Sequence, residues 1–485
     1  MLCHKLTRST VLDAPGLRDD YYCTVLAFCH ISNTLAVGLG DRVYLWSEDF
    51  GVRYPPHETP SHHTQYVTSV AFSSDEGGHC ILAVGRKNGA ISLWSLHDAA
   101  NVRFTSQQPH PIACVSFKQC TTKRPSERFG SMVSTEELLV GDEVGHVYYY
   151  AVEWMSRDQV DIHGWNGHLK LLARIEVHSQ QICGLAWSSN GEFFCSGAND
   201  NACYLFETSE VLKCPVELNV SRHDTRQASE SNQHNFLPRF LAGGAESSVD
   251  PLRSHFSDPA RPNHYLDYPL PPMSNFLRQS TTIVPGQDGS ILVTEGCQKH
   301  KWIHSAAIKA IAFCPWQRGL LATGGGSNDR AIHFYHVYSG ACLATINVHA
   351  QVTSLIWSTT RREIAATFGY PQPDHPFRIA VFSWPTCEQV LAIPWGEDLR
   401  ALFAVSFPGH GDRVGLGGRR GEKGRKLEDG DRCIVVAGSD ECVRFHEIWP
   451  AGPKGRVEKR KHGLGGSEIL EGLEGGEGPS GEVIR

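Results

Sequence analysis

Cysteine and histidine, the residue types that most often ligate metals or carry catalysis, are abundant in this sequence but are not arranged for either task. The 485 residues include 16 cysteines and 25 histidines. No two cysteines have the C-x-x-C spacing, and no histidine cluster has the spacing of zinc ligands. Most of the cysteines lie in apolar, strand-like segments, so we interpret them as reduced thiols of a protein core. We therefore expect no metal ion and no cofactor.

Motifs of enzyme active sites are also missing. The sequence contains no G-x-S-x-G elbow, no G-x-x-x-x-G-K phosphate loop and no H-E-x-x-H zinc motif. The glycine run at 324–326 is not followed by a predicted helix whose N-terminus could bind a phosphate, so a turn between two strands explains it better. These observations favour a binding protein over an enzyme.

The overall composition is that of an acidic globular protein. Hydrophobic residues make up 41% of the chain, and the formal net charge is -7. This charge argues against nucleic acid as a partner, although residues 419–426 are locally basic. No segment approaches the roughly 18 apolar residues of a membrane span, and the N-terminal residues lack the apolar segment of a signal peptide. We expect an intracellular protein, of nucleus and cytoplasm, with no membrane partner.

A repeat of roughly 40 residues organises the chain and occurs seven times. Each copy begins with a short alternating strand that ends in an aromatic residue, and a small-residue strand, a polar turn and a third strand follow. The first copy ends this opening strand at Phe28, and the others read VTSVAF (67–72), IACVSF (112–117), ICGLAW (182–187), IKAIAF (308–313), VTSLIW (352–357) and LFAVSF (402–407). Strict alternation with frequent turns is the signature of β-structure. The repeat predicts an all-β fold, a seven-bladed WD-repeat β-propeller, although no copy keeps the literal Trp-Asp ending.

The segments between the repeats predict the domain boundaries. Residues 1–23 approach the first blade, and residues 24–448 form the propeller. Residues 208–300 and 409–431 are insertions, and the ends of the longer one are expected to supply outer strands. Residues 449–485 form a flexible Gly- and Glu-rich tail.

Two further structural roles follow from the sequence. The residues near Val11 to Ala14 are expected to complete the seventh blade as its outermost strand, because the sequence after Trp449 is too polar to do so. Four acidic residues in the polar turns are expected to brace those turns and not to act in catalysis: Asp41, Asp200, Asp329 and Asp440.

Several long stretches carry a resemblance to a known family. They are VLDAPGLRDDYY at 11–22, CGLAWSSNGEFFCSGANDN at 183–201, IKAIAFCPWQRGLLATGGGSNDRAI at 308–332 and SGACLATINVHAQVTSLIWS at 339–358. In these stretches the chain resembles the Fizzy and Fizzy-related co-activators of the anaphase-promoting complex. Members of that family are seven-bladed propellers that capture degradation signals and present them to a ubiquitin ligase. The resemblance implies two kinds of partner, the tetratricopeptide-repeat scaffold of the complex and degron-bearing cell-cycle proteins.

The resemblance also implies which residues bind these partners. The residues that correspond to the family's KEN-binding groups are Asp20, Tyr21, Asn199, Ser327, Gln351, Arg400 and Glu441. Those that correspond to its destruction-box groups are Leu12, Asp13 and Glu441. The chemistry suits these signals, with acids for a lysine amine, a guanidinium for a glutamate carboxylate and amides for an asparagine. The family docks to its ligase through a C-terminal Ile-Arg, which corresponds to Ile484 and Arg485.

The sequence departs from the family pattern at its N-terminus. Only about ten residues precede the VLDAP stretch, and the activating D-R-[FY]-I-P box is absent from them. Either the chain given is truncated, or the protein binds degrons without full activation. The large insertions and loosened repeats suggest a specialised, meiotic fungal form. A generic WD-repeat scaffold, or a receptor of a cullin-type ligase, is the alternative function, and an enzyme is a distant third.

The composition of residues 208–300 predicts that most of this insertion is dispensable for folding. Its polar sequence cannot offset the entropy of ordering it. Replacing most of its interior with a short Gly-Ser linker should leave the thermal unfolding of the protein unchanged in a calorimetric scan. A large loss of stability would show that the segment packs on the ring.

Overall fold

The computed structural model describes residues 11–55, 65–98, 102–213, 284–285, 290–369, 375–396, 398–408 and 431–450. Within these residues the chain forms seven β-sheets, each built around four antiparallel strands, and two short helices. The first strand of each sheet contacts the first strand of the next sheet, and the seventh contacts the first, so the sheets close into a ring. The predicted all-β, seven-bladed propeller is therefore confirmed.

Each blade begins at the centre of the ring. The innermost strands of blades 1 to 7 are Leu26–Cys29, Val67–Phe72, Ile112–Phe117, Ile182–Trp187, Ile308–Phe313, Val352–Trp357 and Ala401–Pro408. The second strands are Thr34–Leu39, Ile81–Arg86, Met132–Asp142, Phe193–Ala198, Leu320–Gly325, Glu363–Phe368 and Asp431–Gly438.

The third and fourth strands lie progressively farther from the centre. The third strands are Arg42–Ser47, Ala90–Ser95, His146–Trp154, Ala202–Glu207, Ala331–His336, Phe377–Ser383 and Cys442–Glu447. The outermost strands are Gly51–Arg53, Phe104–Gln107, Gly167–Glu176, His300–Ile303, Cys342–Asn347, Gln389–Pro394 and Val11–Asp13. Blade 3 also carries the short strands Thr122–Pro125, Val284–Pro285 and Ile291–Thr294, and the two helices are Arg157–His163 and Thr208–Val211.

The aromatic residues that end the innermost strands pack between neighbouring blades. Trp187 and Trp357 are buried, and each belongs to a hydrophobic cluster that combines residues of two adjacent blades. Their indole N–H groups donate to the Ser116 and Ala312 carbonyl oxygens of the preceding blades, both at 3.1 Å. A single blade cannot bury its two faces, so the ring as a whole forms the core.

The seventh blade combines the two ends of the described chain. Val11–Asp13 pairs antiparallel with Cys442–Glu447, with Leu12 opposite Val443 and Asp13 opposite Cys442. This is the pairing that the sequence predicts. It covers the backbone edge that the blade would otherwise expose.

The C-terminal end of the long insertion supplies outer strands to the propeller, as the sequence predicts, so the insertion interrupts the fourth blade before its last strand. His300–Ile303 pairs with Ala202–Glu207 as the fourth strand of this blade. Ile291–Thr294 pairs in parallel with the outer strand of blade 3, so the end of the insertion supplies strands to two blades. Residues 214–283 lie outside the described residues. A linker replacement must therefore spare residues 290–303.

The propeller ends later than the sequence predicts. Trp449, which the sequence analysis assigns to the tail, is 1% exposed and packs with Ile448 among residues of blades 6 and 7. Its backbone N–H donates to the Arg432 carbonyl oxygen at 3.0 Å. Residues 409–430 and 451–485 lie outside the described residues. Among the described residues, no helix has the length and apolar character needed to cross a membrane.

Glu136 in blade 3 is a carboxyl group buried without a cationic partner at hydrogen-bonding distance. It is 1% exposed, and its oxygens accept hydrogen bonds from the Ser74 hydroxyl at 2.9 Å and the Ser74 backbone N–H at 3.3 Å. Burial raises the pKa of Glu136 to about 7, and the nearby carboxylates of Glu76 and Glu137 also raise it. The two hydrogen bonds from Ser74 lower the pKa but do not offset burial. The folded protein therefore holds this proton more tightly than the unfolded chain does.

This raised pKa predicts a pH-dependent difference between the wild type and Glu136→Gln. An unfolded glutamate titrates near 4.5, so the wild type loses stability as the pH rises from about 5 to 8, whereas glutamine has no such titration. From pH 5 to pH 8, the free energy of unfolding of the variant should rise by on the order of 2 kcal/mol relative to that of the wild type. Thermal melts of both proteins at pH 5 and pH 8 measure the difference. A difference that does not change with pH would contradict the prediction.

Candidate functional site

The antiparallel register brings five of the seven predicted KEN-binding residues to one face of the ring. In blade 4, for example, Ile182 at the start of the first strand lies opposite Ala198 at the end of the second strand. Loops that precede first strands and loops that follow second strands therefore share a face, which we call the upper face. The predicted site residues in these loops are Asn199, Ser327, Gln351, Arg400 and Glu441.

Residues 14–24, which we call the approach segment, run along this upper face from blade 7 to blade 2. The Ala14 N–H donates to the Glu441 carbonyl oxygen at 2.8 Å, and the Thr24 N–H donates to the Thr68 carbonyl oxygen at 2.9 Å. The segment is therefore fixed at both ends by backbone hydrogen bonds. The predicted residues Asp20 and Tyr21 lie between these two anchors.

A tyrosine that the sequence analysis did not select connects the approach segment to blade 4. The Tyr22 hydroxyl donates to Asn199 Oδ1 at 3.1 Å, and Asn199 Nδ2 donates to Gln180 Oε1 at 3.2 Å. The Tyr22 backbone N–H in turn donates to Asp20 Oδ1 at 2.9 Å. These contacts hold an amide and a carboxylate of the predicted site in fixed positions.

Tyr21 lies deeper than its neighbour. Its hydroxyl is buried and has no hydrogen-bond partner among the described residues. Burial raises the pKa of Tyr21 well above its usual value. The phenol therefore stays neutral, and its hydroxyl can both donate and accept a hydrogen bond.

Arg400 connects the approach segment to blade 7. Its guanidinium forms an ion pair with Asp19, and both side chains are about one-third exposed. The Arg400 backbone N–H also donates to the Ser439 hydroxyl at 3.0 Å. The family resemblance predicts that this guanidinium binds a ligand carboxylate. It gives no sign of Asp19 as a partner, because no spacing rule links residues so far apart in the chain.

Ser327 and Gln351 lie in the upper-face loops of blades 5 and 6. The Ser327 carbonyl oxygen accepts from Arg330 Nε at 2.8 Å, and the Gln351 carbonyl oxygen accepts from the Gly369 N–H at 3.0 Å. A Cβ atom at Gly369 would lie 2.8 Å from Gln351 Oε1. Glycine at this position therefore leaves room for the glutamine side chain.

The three predicted destruction-box residues lie close together at the edge of blade 7. Leu12 is partly buried against the hydrophobic cluster of blades 7 and 1, and Asp13 is exposed. Glu441 is exposed in a turn with φ of 55°, and its carbonyl oxygen accepts from the Ala14 N–H. The edge of blade 7 thus combines an apolar side chain with two carboxylates.

Histidine–aspartate pairs brace two of the loops that carry site residues. In blade 4, His178 Nδ1 contacts Asp200 at 3.1 Å and His178 Nε2 contacts the Ser196 hydroxyl at 2.9 Å. Burial alone would raise the pKa of Asp200. Its hydrogen bonds, chiefly the one from His178, outweigh this effect and hold the pKa below its usual value. This arrangement supports the predicted bracing role of Asp200, and Asn199 is its immediate neighbour.

Blade 5 repeats this arrangement and adds a second histidine. Asp329 contacts His304 Nδ1 at 3.3 Å and His333 Nε2 at 2.9 Å, and His304 Nε2 contacts the Thr323 hydroxyl at 3.2 Å. Potential ligand atoms of His304, Asp329 and His333 lie within 4.8 Å of one another. These three residues could hold a cation. The His178–Asp200 pair of blade 4 braces its loop in the same way with only two such residues, so the contacts in blade 5 need no cation to explain them.

The other two predicted turn acids behave differently. Asp440 pairs with Arg444, and Asp41 lies 4.0 Å from the Arg42 guanidinium in an exposed turn. Asp142 in blade 3, which the sequence analysis did not select, accepts from the backbone N–H groups of residues 144–146. The predicted docking residues Ile484 and Arg485 lie outside the described residues.

The ring of four-stranded blades braced by histidine and aspartate is that of a WD-repeat propeller. A family model described as "WD domain, G-beta repeat" matches residues 55–95 and 169–207. A solved chain of the "Crystal Structure of Mitotic Checkpoint Complex" superposes with a TM-score of 0.56 at 24% identity, covering 92% of this chain and 95% of the other. That likeness concerns the fold.

Curated relatives describe the resemblance more narrowly. Meiotic fizzy-related protein 2 of Schizosaccharomyces pombe is 29% identical over 475 residues, which cover 96% of this chain and 68% of the relative. The meiosis-specific APC/C activator protein AMA1 of Saccharomyces cerevisiae is 28% identical over 490 residues, 98% of this chain and 63% of its own. Cell division cycle 20.5, cofactor of APC complex, of Arabidopsis thaliana is 26% identical over 448 residues, which cover 92% of this chain and 68% of the relative.

The predicted resemblance is therefore confirmed: the relatives of this chain are Fizzy-related and Cdc20-type activators of the anaphase-promoting complex, including meiosis-specific fungal members. The chain spans about two thirds of the length of these relatives, between 63% and 68%.

Proposed function

We propose that this chain is a non-catalytic, substrate-recognition co-activator subunit of the anaphase-promoting complex. It binds KEN and destruction-box degrons on its upper face and at the edge of blade 7. The observation that carries the proposal is the junction of the approach segment with Asn199 through Tyr22 and with Arg400 through Asp19. This junction collects acidic, aromatic, amide and guanidinium groups, and the relatives are named as activators of the complex.

The chemistry of the upper face matches the three side chains of a KEN signal. The Arg400 guanidinium offers paired donors to the glutamate carboxylate, and Asp20 offers a carboxylate to the lysine ammonium. Asn199 and Gln351 offer amides that can both donate to and accept from the asparagine of the signal. The neutral, unpartnered hydroxyl of Tyr21 is a further group that a peptide could satisfy.

The edge of blade 7 suits the destruction box. Its arginine requires carboxylates, which Asp13 and Glu441 supply beside each other through the pairing of Asp13 with Cys442. Its leucine requires an apolar surface, which Leu12 offers beside the cluster that contains Phe407 and Phe445. The same backbone pairing that completes the blade therefore also forms this site.

Docking to the ligase is proposed through Ile484 and Arg485, by analogy with the family. An apolar side chain, a guanidinium and a terminal carboxylate at the end of a long tether suit insertion into a tetratricopeptide-repeat groove. The partners are then the tetratricopeptide-repeat scaffold and degron-bearing cell-cycle proteins. The nucleus and cytoplasm, where such substrates occur, are the proposed location.

Two substitutions distinguish the two peptide sites. Arg400→Ala should weaken binding of a KEN peptide about ten- to hundredfold and leave destruction-box binding nearly unchanged, because it removes one charge-assisted contact. Glu441→Gln should weaken both peptides, since both signals use this carboxylate. Glutamine retains the long side chain at the φ of 55°. Isothermal titration calorimetry with each peptide measures both effects.

Arg42→Ala is the matched control for these variants, because Arg42 follows the second strand of blade 1 on the same face but outside the predicted site. It should leave both affinities unchanged. All variants should first be shown to melt at the wild-type temperature, since loosening of blade 7 would mimic a binding defect. If Arg400→Ala and Glu441→Gln bind both peptides as the wild type does, the assignment of these residues is wrong.

The ion pair of Asp19 with Arg400 predicts that Asp19 competes with the ligand carboxylate. Asp19→Asn should tighten KEN-peptide binding about two- to fivefold, because a partly exposed ion pair contributes a free energy that corresponds to such a factor. Asp41→Asn removes a carboxylate elsewhere on the same face and should have no effect. Calorimetry with the same peptide measures both variants. Weaker binding by Asp19→Asn would instead mean that Asp19 orients Arg400 for the ligand.

A further inference from the structure

Lys309 is a buried cation that the propeller repeat does not explain. It is the second residue of the innermost strand of blade 5 and is 4% exposed. The second residues of the corresponding strands in blades 2, 3, 4 and 6 are uncharged, namely Thr68, Ala113, Cys183 and Thr353. A lysine here buries a charge at a position where the fold accepts threonine, alanine or cysteine.

The ammonium group of Lys309 donates hydrogen bonds to three backbone carbonyl oxygens. The acceptors are those of Tyr21, of Cys23 at 3.0 Å and of Leu402 at 3.0 Å. An ammonium group has three N–H donors, so all of them are used. The nitrogen also lies 5.2 Å from the ring centroid of Tyr21 and 5.1 Å from that of Phe403, at distances typical of cation–π contacts.

These three carbonyl groups belong to two of the segments that form the candidate KEN site. Tyr21 and Cys23 lie in the approach segment, next to Asp19 and Asp20. Leu402 is the second residue of the first strand of blade 7 and follows Arg400 by two residues. The Asp19–Arg400 ion pair joins the same two segments at the partly exposed surface, and Lys309 joins them beneath it.

Burial of this lysine is costly for the fold. Removal from water lowers the pKa of Lys309 to about 8, although Asp20 and the thiols of Cys23, Cys114 and Cys183 oppose this shift. The desolvation cost of a buried charge can exceed what its contacts return, so a buried polar group is weak evidence of added stability. The benefit of the lysine is therefore to be sought in the geometry that it imposes.

We propose that Lys309 is a positioning residue for the degron-binding face, which holds the approach segment and the start of blade 7 in the relative arrangement that KEN binding requires. This inference rests on the proposed function. Lys309 itself does not contact the ligand. It acts through the backbone of Tyr21, Cys23 and Leu402, and so sets the distance between the carboxylates of the approach segment and the Arg400 guanidinium.

Lys309→Met tests this role, because methionine is unbranched, similar in length and unable to donate hydrogen bonds. KEN-peptide affinity, measured by calorimetry, should fall about tenfold or more. Destruction-box affinity should change less than about twofold, because Leu12 and Asp13 are held by their own strand pairing. The melting temperature should fall only modestly, because release from the desolvation cost of the ammonium partly offsets the three carbonyl oxygens left unpaired. Lys309→Gln, which keeps two N–H donors, should bind the KEN peptide with intermediate affinity.

Hydrogen exchange keeps the inference separate from the proposed function, since it needs no peptide. In Lys309→Met, backbone amides of residues 19–24 should exchange about tenfold faster or more than in the wild type, and those of residues 320–336 in blade 5 should be unchanged. If the wild type binds no KEN peptide, the proposed function fails, and the exchange result alone decides whether Lys309 positions the segment.

Three outcomes would overturn the inference. They are unchanged exchange in residues 19–24, an equal loss of affinity for both peptides with a large fall in melting temperature, and unfolding of both the Met and Gln variants. The last two would mean that Lys309 supplies stability to the whole ring and not position to one face.

Discussion

The antiparallel pairing of Val11–Asp13 with Cys442–Glu447 is the interaction on which the rest of the structure depends. A propeller blade cannot bury both of its faces alone, so the core exists only while the ring stays closed. The three-residue strand completes the last blade and covers its edge. It also determines where the chain enters the upper face, because Ala14 bonds to Glu441 directly after the strand.

The candidate site follows from this closure. The approach segment leaves blade 7 and contacts blade 4 through Tyr22, blade 5 through Lys309 and the start of blade 7 through Asp19. Residues from distant parts of the chain therefore meet on one face. The His–Asp networks of blades 4 and 5 stiffen the loops that carry Asn199 and Ser327. The site is thus a surface assembled on a rigid ring.

The repeat made the fold predictable from the sequence. Alternating strands with an aromatic ending indicate blades, seven copies indicate closure, and the polar sequence after Trp449 indicates that the N-terminus supplies the missing strand. Periodicity could not reveal partners that are distant in sequence. Asp19 beside Arg400, Tyr22 beside Asn199 and Lys309 beside Leu402 are pairs of this kind. The one available signal was a lysine in the inner-strand segment IKAIAF, where other copies have neutral residues.

Boundaries were predicted less well for a similar reason. A fourth strand carries little sequence signal. The insertion is predicted to end at residue 300, which is already the first residue of the strand that completes blade 4, and it includes Ile291–Thr294, which pairs with blade 3. Trp449 lies at the predicted start of the tail, yet its ring fills the space between blades 6 and 7. In both cases tertiary packing, which no local pattern records, determines where the blade ends.

The most direct test of the adaptor role is a bridging measurement with purified anaphase-promoting complex immobilised on beads. A KEN-bearing polypeptide is added with and without the full chain, and its retention on the beads is quantified. Retention should require the wild-type chain. It should be lost when Ile484 and Arg485 are deleted, because docking fails, and also with Arg400→Ala, because capture fails while the chain itself stays bound. If the wild-type chain retains no polypeptide, or if both altered chains retain it as well as the wild type, the account of this protein as a degron adaptor is wrong.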